Sequence, residues 1–209
     1  KFFHVPLTEQ PEYNGTQLIH SKVIASYLRQ LLRNDLQYAP FRMEGMEQDV
    51  REMMEIDTPQ GKLALQIGGT IDRLDSKGDT LRIVDYKTGG TPKTPENIEQ
   101  LFTPADNRPN YIFQTFLYAA ILCRKQSLKV APSLLYIHRA ASESYSPVIE
   151  MGAPRQPKVP VNNFAFFEDE FRERLHGLLQ EIFSQEETFS QTEDTRKCEY
   201  CDFRSLCKR

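Results

Sequence analysis

Two aspartates and a lysine lie in two apolar segments that are separated by a short turn. Asp72 belongs to the segment 62–75, whereas Asp85 and Lys87 belong to the segment 80–88. A tight turn between the segments sets Asp72 opposite Asp85, and Lys87 shares their face because it lies two residues beyond Asp85. Two carboxylates and an ammonium on one face can bind a hard cation such as Mg²⁺ and activate a water molecule.

The same register produces two favourable cross-strand pairs. With the turn centred on residues 78–79, Asp75 lies opposite Arg82 and Leu74 lies opposite Ile83. The alternative is an ordinary solvated hairpin face, and a slip by one residue would turn one aspartate away from the other. Apolar neighbours indicate that the aspartates are partly buried. Because a buried acid without a partner is costly, this favours the metal-binding interpretation.

A second polar pair lies on a predicted helix over residues 110–125. Gln114 and Tyr118 are four residues apart and therefore share one helical face, while apolar residues cover the other side. An amide and a phenol can both hydrogen-bond to phosphate oxygens or to bases. Taken alone, the pair is also typical of the polar stripe of an amphipathic helix.

Three cysteines are crowded near the end of the sequence in the spacing C-x2-C-x5-C, as Cys198, Cys201 and Cys207. Such close spacing allows the three sulfur atoms to bind one metal ion or cluster. Zinc is one alternative, with a fourth ligand such as a histidine from elsewhere, and three unligated thiols are another. Four cysteines in total are too few for a disulfide scaffold, and their crowding indicates a reducing compartment.

The elements that must position these residues alternate between helical and strand periodicities. This alternation predicts an α/β domain with a mixed sheet. Thr16 is the predicted N-cap of the first helix, residues 41–57 look extended, and 89–109 is a loop with one helical turn near 96–102. The predicted helices are 16–33, 110–125 and 163–185, and the predicted strands are 62–75, 80–88, 130–139 and 145–151.

Composition excludes several classes of protein. The chain has 209 residues and a net charge of −3, which excludes a protein coated in basic charge for binding polyanions. No apolar run approaches the roughly 18 residues that cross a bilayer, so we expect no membrane association and a cytoplasmic location. The absence of a Gly-x-x-x-x-Gly-Lys loop excludes an ATPase of the P-loop type.

The segments Gly69–Asp75 and Val84–Gly89 resemble the core of the PD-(D/E)xK nucleases, and most closely the branch that contains RecB and AddB. The resemblance runs from about Glu47 to Cys207. It implies a single domain over 1–209 with a restriction-endonuclease-like core, in which a central mixed β-sheet is flanked by helices. It also implies a DNA nuclease that uses Mg²⁺ or Mn²⁺, works beside a helicase domain or subunit, and acts in DNA repair or recombination.

The resemblance assigns roles to particular residues. Asp72 and Asp85 match the two metal-binding carboxylates, and Lys87 matches the lysine that assists the attacking water. Glu47 is placed like a further acidic ligand, for which Glu44 is a competitor. Gln114 and Tyr118 match a Gln-x-x-x-Tyr motif that positions DNA and supports the catalytic site.

The segment 196–209 resembles the cysteine segment of AddB-like nucleases. There, cysteines spaced like Cys198, Cys201 and Cys207 help to hold a 4Fe-4S cluster with a fourth cysteine that lies upstream. No cysteine precedes Cys123, and Cys123 itself is expected in the core. We therefore expect a C-terminal piece of a longer protein with an incomplete cluster site. The alternative functions are a catalytically silent DNA-binding or subunit-stabilising module and a zinc-binding interaction domain.

Overall fold

A mixed four-stranded β-sheet forms the centre of the molecule. The computed structural model describes residues 6, 8–9, 12–105, 107–142, 144–184 and 190–208. The pairs β1–β2 and β2–β3 are antiparallel, whereas β3 and β4 are parallel. The predicted α/β class, with a mixed sheet flanked by helices, is therefore confirmed. In spatial order the strands are β1 (Arg42–Thr58), β2 (Gly61–Lys77), β3 (Thr80–Lys87) and β4 (Lys129–Tyr136).

The helices of the described residues are α1 (Gly15–Tyr38), α2 (Asn110–Cys123) and α3 (Glu168–Ile182). α2 forms the crossover from β3 to β4, because parallel neighbours cannot be joined by a tight turn. It packs with α3 against one face of the sheet, around the aromatic side chains of Phe116 and Phe171. Among the described residues, none of the helices has the length and apolar content needed to cross a membrane.

Alternate residues of β2 and β3 face opposite sides of the sheet, as the pleat requires. Leu74 and Ile83 join the main core beneath α2. On the other side, three buried residues and the half-buried Asp35 form a charged network that we call the charge cluster: Asp35, Arg73, Asp75 and Arg82. Asp75 accepts hydrogen bonds from both arginines at 2.8–2.9 Å.

The charge cluster attaches the end of α1 to the sheet. Arg73 Nη1 donates to both carboxylate oxygens of Asp35, at 3.0 and 2.8 Å. The guanidinium carbon of Arg82 lies 3.5 Å from the ring centroid of Tyr38, which is a close cation–π contact. The C-terminal turns of α1 are therefore held by charged and aromatic contacts, whereas most of its apolar side chains remain exposed: Leu18, Ile19, Val23, Ile24, Leu28, Leu32 and Leu36.

Several predicted boundaries are wrong. The N-cap of α1 is Asn14 rather than Thr16, because Asn14 forms a reciprocal capping box with Gln17. The predicted strand 145–151 is reduced to β5 (Glu150–Met151), which pairs with β6 (Val159–Pro160).

The last predicted helix also begins later than expected. The chain at residues 164–166 forms a 3₁₀ turn before α3 starts at Glu168. Residue 185, the end of the predicted helix, and residue 209, the end of the predicted cysteine segment, lie outside the described residues. Cys123 is half-buried and packs against the core, as predicted.

Candidate active site

The β2–β3 hairpin places two carboxylates side by side. Leu74 pairs with Ile83 and Asp75 pairs with Arg82, so the register predicted from the sequence is confirmed. Arg73 and Val84 form the backbone pair furthest from the turn, and Asp72 lies next to Arg73. Asp72 Oδ2 accepts a hydrogen bond of 2.8 Å from the backbone amide of Tyr86. The backbone amide of Tyr86 on β3 is thus bound by the side chain of Asp72 rather than by a backbone carbonyl of β2.

Asp85 is buried among apolar residues, with only 3% of its surface exposed. Burial raises the pKa of Asp85, contact with Lys87 lowers it, and the nearby charge of Asp72 raises it again. The net shift is upward because burial is the largest of these causes. The buried environment therefore disfavours the negative charge of Asp85 unless a positive charge is close.

Lys87 supplies one such positive charge. Its Nζ lies 2.5 Å from Asp85 Oδ2, although the contact lacks hydrogen-bond geometry. Among the described residues, Lys87 is the cation that lowers the pKa of this buried carboxylate. A buried carboxylate with one ammonium and a second carboxylate nearby is suited to bind a cation.

Gln114 and Tyr118 continue the network from Lys87 into α2. Lys87 Nζ donates to Gln114 Oε1 at 3.3 Å, and Gln114 Nε2 donates to the Tyr118 hydroxyl at 3.0 Å. Tyr118 is only 4% exposed and lies against Gly69, where an added Cβ would come within 2.7 Å of the hydroxyl. Glycine at position 69 therefore makes room for the tyrosine that holds Gln114.

The acidic candidates on β1 differ in position. The β1–β2 register brings Glu47 level with Asp72, and the Glu47 side chain is exposed on a backbone with φ of +48°. Glu44 instead accepts a hydrogen bond of 2.5 Å from Ser76, four residues further along β2 than Asp72. Glu47 is therefore closer to the two carboxylates than its competitor.

No group of three or more His, Cys, Asp or Glu residues in the described part of the chain is arranged to hold a metal ion. Asp72 and Asp85 form a pair of hard oxygen donors, and the burial of Asp85 near a second carboxylate fits a hard divalent cation. Cys198, Cys201 and Cys207 are partly or fully exposed free thiols. The metal-binding roles of both sets stay predictions.

Two features beside the lysine were not predicted. The Tyr111 ring lies beneath the Lys87 ammonium, 4.3 Å from Nζ to the ring centroid. A cleft of about 290 Å³ opens next to this ring, and its described lining includes Lys93 and Arg108 but no carboxylate. Arg108 Nε donates to Asn110 Oδ1 at 2.7 Å, which orients the guanidinium. The only sequence signal for Tyr111 is its position three residues before Gln114, on the same helical face.

Comparison with known proteins agrees with this geometry. A search of curated proteins finds no matching relative. The family model described as the PD-(D/E)XK nuclease superfamily matches residues 4–208. This match includes both strands of the carboxylate hairpin, the helix that carries Gln114 and Tyr118, and the cysteine segment. The chain belongs to the PD-(D/E)XK nuclease superfamily.

Proposed function

We propose that the chain is a metal-dependent deoxyribonuclease of the RecB- and AddB-like branch, which hydrolyses phosphodiester bonds. The observation that carries this proposal is the buried carboxylate of Asp85, which lies near Asp72 and has its Oδ2 2.5 Å from the Lys87 ammonium. Membership of the nuclease superfamily supports it. A structural ion pair needs one carboxylate for one ammonium, whereas here a second carboxylate, Asp72, lies near the pair and leaves excess negative charge for a cation.

Each residue has a part in the reaction. Asp72 and Asp85 would hold Mg²⁺ or Mn²⁺, and Glu47 is the candidate for a further oxygen ligand. When bound, the cation supplies Lewis acidity and lowers the pKa of a water molecule. Lys87 places its ammonium beside the reacting phosphate, where it hydrogen-bonds the attacking water and stabilises negative charge. Gln114 and Tyr118 hold this ammonium in place through their hydrogen bonds.

The cleft beside Tyr111 gives the DNA a path to this centre. The described residues that line this cleft include the basic side chains of Lys93 and Arg108 and no carboxylate. The chain as a whole, by contrast, carries a net charge of −3. Positive charge is therefore concentrated at the point where a phosphate backbone would approach. A protein with this local distribution binds DNA at a focused site rather than over a basic surface.

We also propose that the domain works with a helicase domain or subunit in DNA repair or recombination. The likeness of the hairpin and of the Gln-x-x-x-Tyr motif to RecB and AddB supports this context. Cys198, Cys201 and Cys207 are proposed as three ligands of a 4Fe-4S cluster. Visible absorption and iron content of the purified protein, compared with zinc content, test this assignment.

Removal of divalent metal is the direct test of the proposed function. We expect the protein to cleave labelled single- or double-stranded DNA with Mg²⁺ or Mn²⁺, and to lose this activity completely with EDTA. Restoration by excess Mg²⁺ controls for irreversible damage to the fold. Cleavage that persists in EDTA contradicts the metal-dependent mechanism. DNA binding without cleavage under every metal condition instead supports the catalytically silent alternative.

A milder effect is expected when the Tyr118 hydroxyl is removed. Tyr118→Phe keeps the ring that packs against Gly69 but deletes the acceptor for Gln114 Nε2. Because one neutral hydrogen bond contributes about 1 kcal/mol, kcat is expected to fall about fivefold. Steady-state kinetics and thermal melting measure the two effects separately. An unchanged kcat would show that Gln114 does not depend on this hydroxyl.

A further inference from the structure

Tyr111 contacts the catalytic lysine in addition to Asp85 and Gln114. The Lys87 ammonium has Asp85 Oδ2 at 2.5 Å and Gln114 Oε1 at 3.3 Å, and the centroid of the Tyr111 ring lies 4.3 Å away. This distance is within the range of a cation–π contact. The Tyr111 ring, the Asp85 carboxylate and the Gln114 amide thus all contact the Lys87 ammonium.

The loop after β3 passes close to the ring. Gly90 has φ of +79°, and a Cβ added there would lie 3.3 Å from Tyr111 Cε2. A side chain at position 90 would therefore be strained by its backbone and would also crowd the ring. The loop can pass this close to Tyr111 because residue 90 is glycine.

Lysine needs such a support more than most side chains do. Its flexible four-carbon stem has many rotamers, and its ammonium carries no planar fork that would fix its direction. A carboxylate that binds a cation also has less charge to offer an ammonium. The aromatic face can retain the ammonium without competing for the oxygen atoms of Asp85.

We propose that Tyr111 is a positioning residue for the proposed reaction: its ring face holds the Lys87 ammonium in place beside the reacting phosphate. The inference rests on the nuclease function proposed above and extends it by one residue. Tyr111 is 42% exposed and lines the cleft, so the competing role is direct stacking on a nucleobase of the substrate. The two roles differ in the kinetic constant that they affect.

Two substitutions at position 111 separate these roles. Tyr111→Phe retains the aromatic face, whereas Tyr111→Leu retains apolar bulk and helix propensity but has no π-system. We expect Tyr111→Leu to lower kcat about tenfold with KM changed less than about twofold, and Tyr111→Phe to remain close to wild type. A rise in KM with unchanged kcat would overturn the proposal in favour of base stacking. Equal kcat in both variants and wild type would also overturn it.

The matched control is Phe166→Leu, which removes an aromatic ring that is 84% exposed. This variant is expected to retain wild-type kcat and KM. A tenfold loss of kcat in Phe166→Leu would show that loss of an exposed ring is harmful in general, and would overturn the specific role of Tyr111. Thermal melting of all three variants identifies any loss that comes from unfolding.

A spectroscopic measurement tests the contact without using activity. In protein with ¹³C-labelled lysine, the Lys87 Hε signals are assigned by their loss in Lys87→Arg. We expect an upfield ring-current shift of these signals, kept in Tyr111→Phe and lost in Tyr111→Leu. Signals that do not move in Tyr111→Leu would overturn the proposal. If the wild-type protein does not cleave DNA, the nuclease function fails, whereas the Tyr111–Lys87 contact is still decided by this shift.

Discussion

Asp85→Asn is expected to reduce DNA cleavage by more than about 10³-fold while the protein stays folded. The amide has nearly the shape of the carboxylate and fits the same buried space, but it carries no negative charge for a divalent cation. Rates with Mg²⁺ and with Mn²⁺, together with circular dichroism, measure the two parts of this expectation. Activity within about tenfold of wild type would exclude Asp85 as an essential metal ligand.

The same variant is expected to change how stability depends on pH. Burial raises the pKa of Asp85 in the folded protein above its ordinary value of 3.8, so the folded state binds the proton more tightly than the unfolded chain does. The free energy of unfolding of the wild type therefore loses a contribution as pH rises from this ordinary value through the raised pKa. Asp85→Asn has no such loss, and its stability relative to wild type should increase across that window. Urea denaturation at about pH 4 and about pH 7 measures the difference.

Lys87→Met is the informative contrast to Asp85→Asn. It leaves the buried carboxylate without its ammonium, so the protein is expected to lose more than about 1 kcal/mol of stability at neutral pH. Addition of Asp85→Asn to this variant should recover stability, because no buried charge then remains, but it should not recover cleavage. A double variant less stable than Lys87→Met would contradict the view that charge burial governs this site.

Asp75→Ala is expected to have the largest effect on stability, with a loss of about 3–5 kcal/mol. Asp75 is fully buried and accepts hydrogen bonds from Arg73 and Arg82. Its removal leaves both guanidinium groups buried without this counter-charge and loosens the attachment of α1 through the charge cluster. Urea denaturation at neutral pH measures the loss.

The control for this prediction is another aspartate paired with a basic residue, at the protein surface. Asp79 lies 2.7 Å from the Lys129 ammonium, and both side chains are more than half exposed. Asp79→Ala is expected to change the urea midpoint little, because water and salt screen exposed ion pairs. If the two alanine variants lose the same stability, burial is not what makes Asp75 important.

The strands of the site were predictable because strand periodicity and cross-strand charge both point to one register. Asp75 opposite Arg82 is favourable only in the pairing that also brings Asp72 towards Asp85. The spacing of Gln114 and Tyr118 was equally informative, since residues four apart share a helical face. Local patterns therefore account for most of the network around Lys87.

The contacts made by the loop after β3 were not predictable. The path of this loop decides where α2 begins and hence which residues lie beside Lys87 and Gly90, as Tyr111 does, and no periodicity describes such a loop. The orientation of Arg108 by Asn110 depends on the same loop. Periodicity also identified α1 as an amphipathic helix, but it could not show that the apolar side chains of this helix remain exposed.

Successive side chains of β2 point to opposite faces of the sheet, so neighbouring residues make unrelated contacts. Asp72 faces Asp85, Arg73 faces α1, Leu74 faces the main core and Asp75 again faces α1. One residue added or lost between Asp72 and Asp75 would exchange the two faces of the adjoining part of β2, sending a guanidinium group into the core or removing a carboxylate from its partner. Conservative substitutions within this stretch disturb one contact at a time. A change in its length would disturb the carboxylate pair, the core packing and the attachment of α1 together.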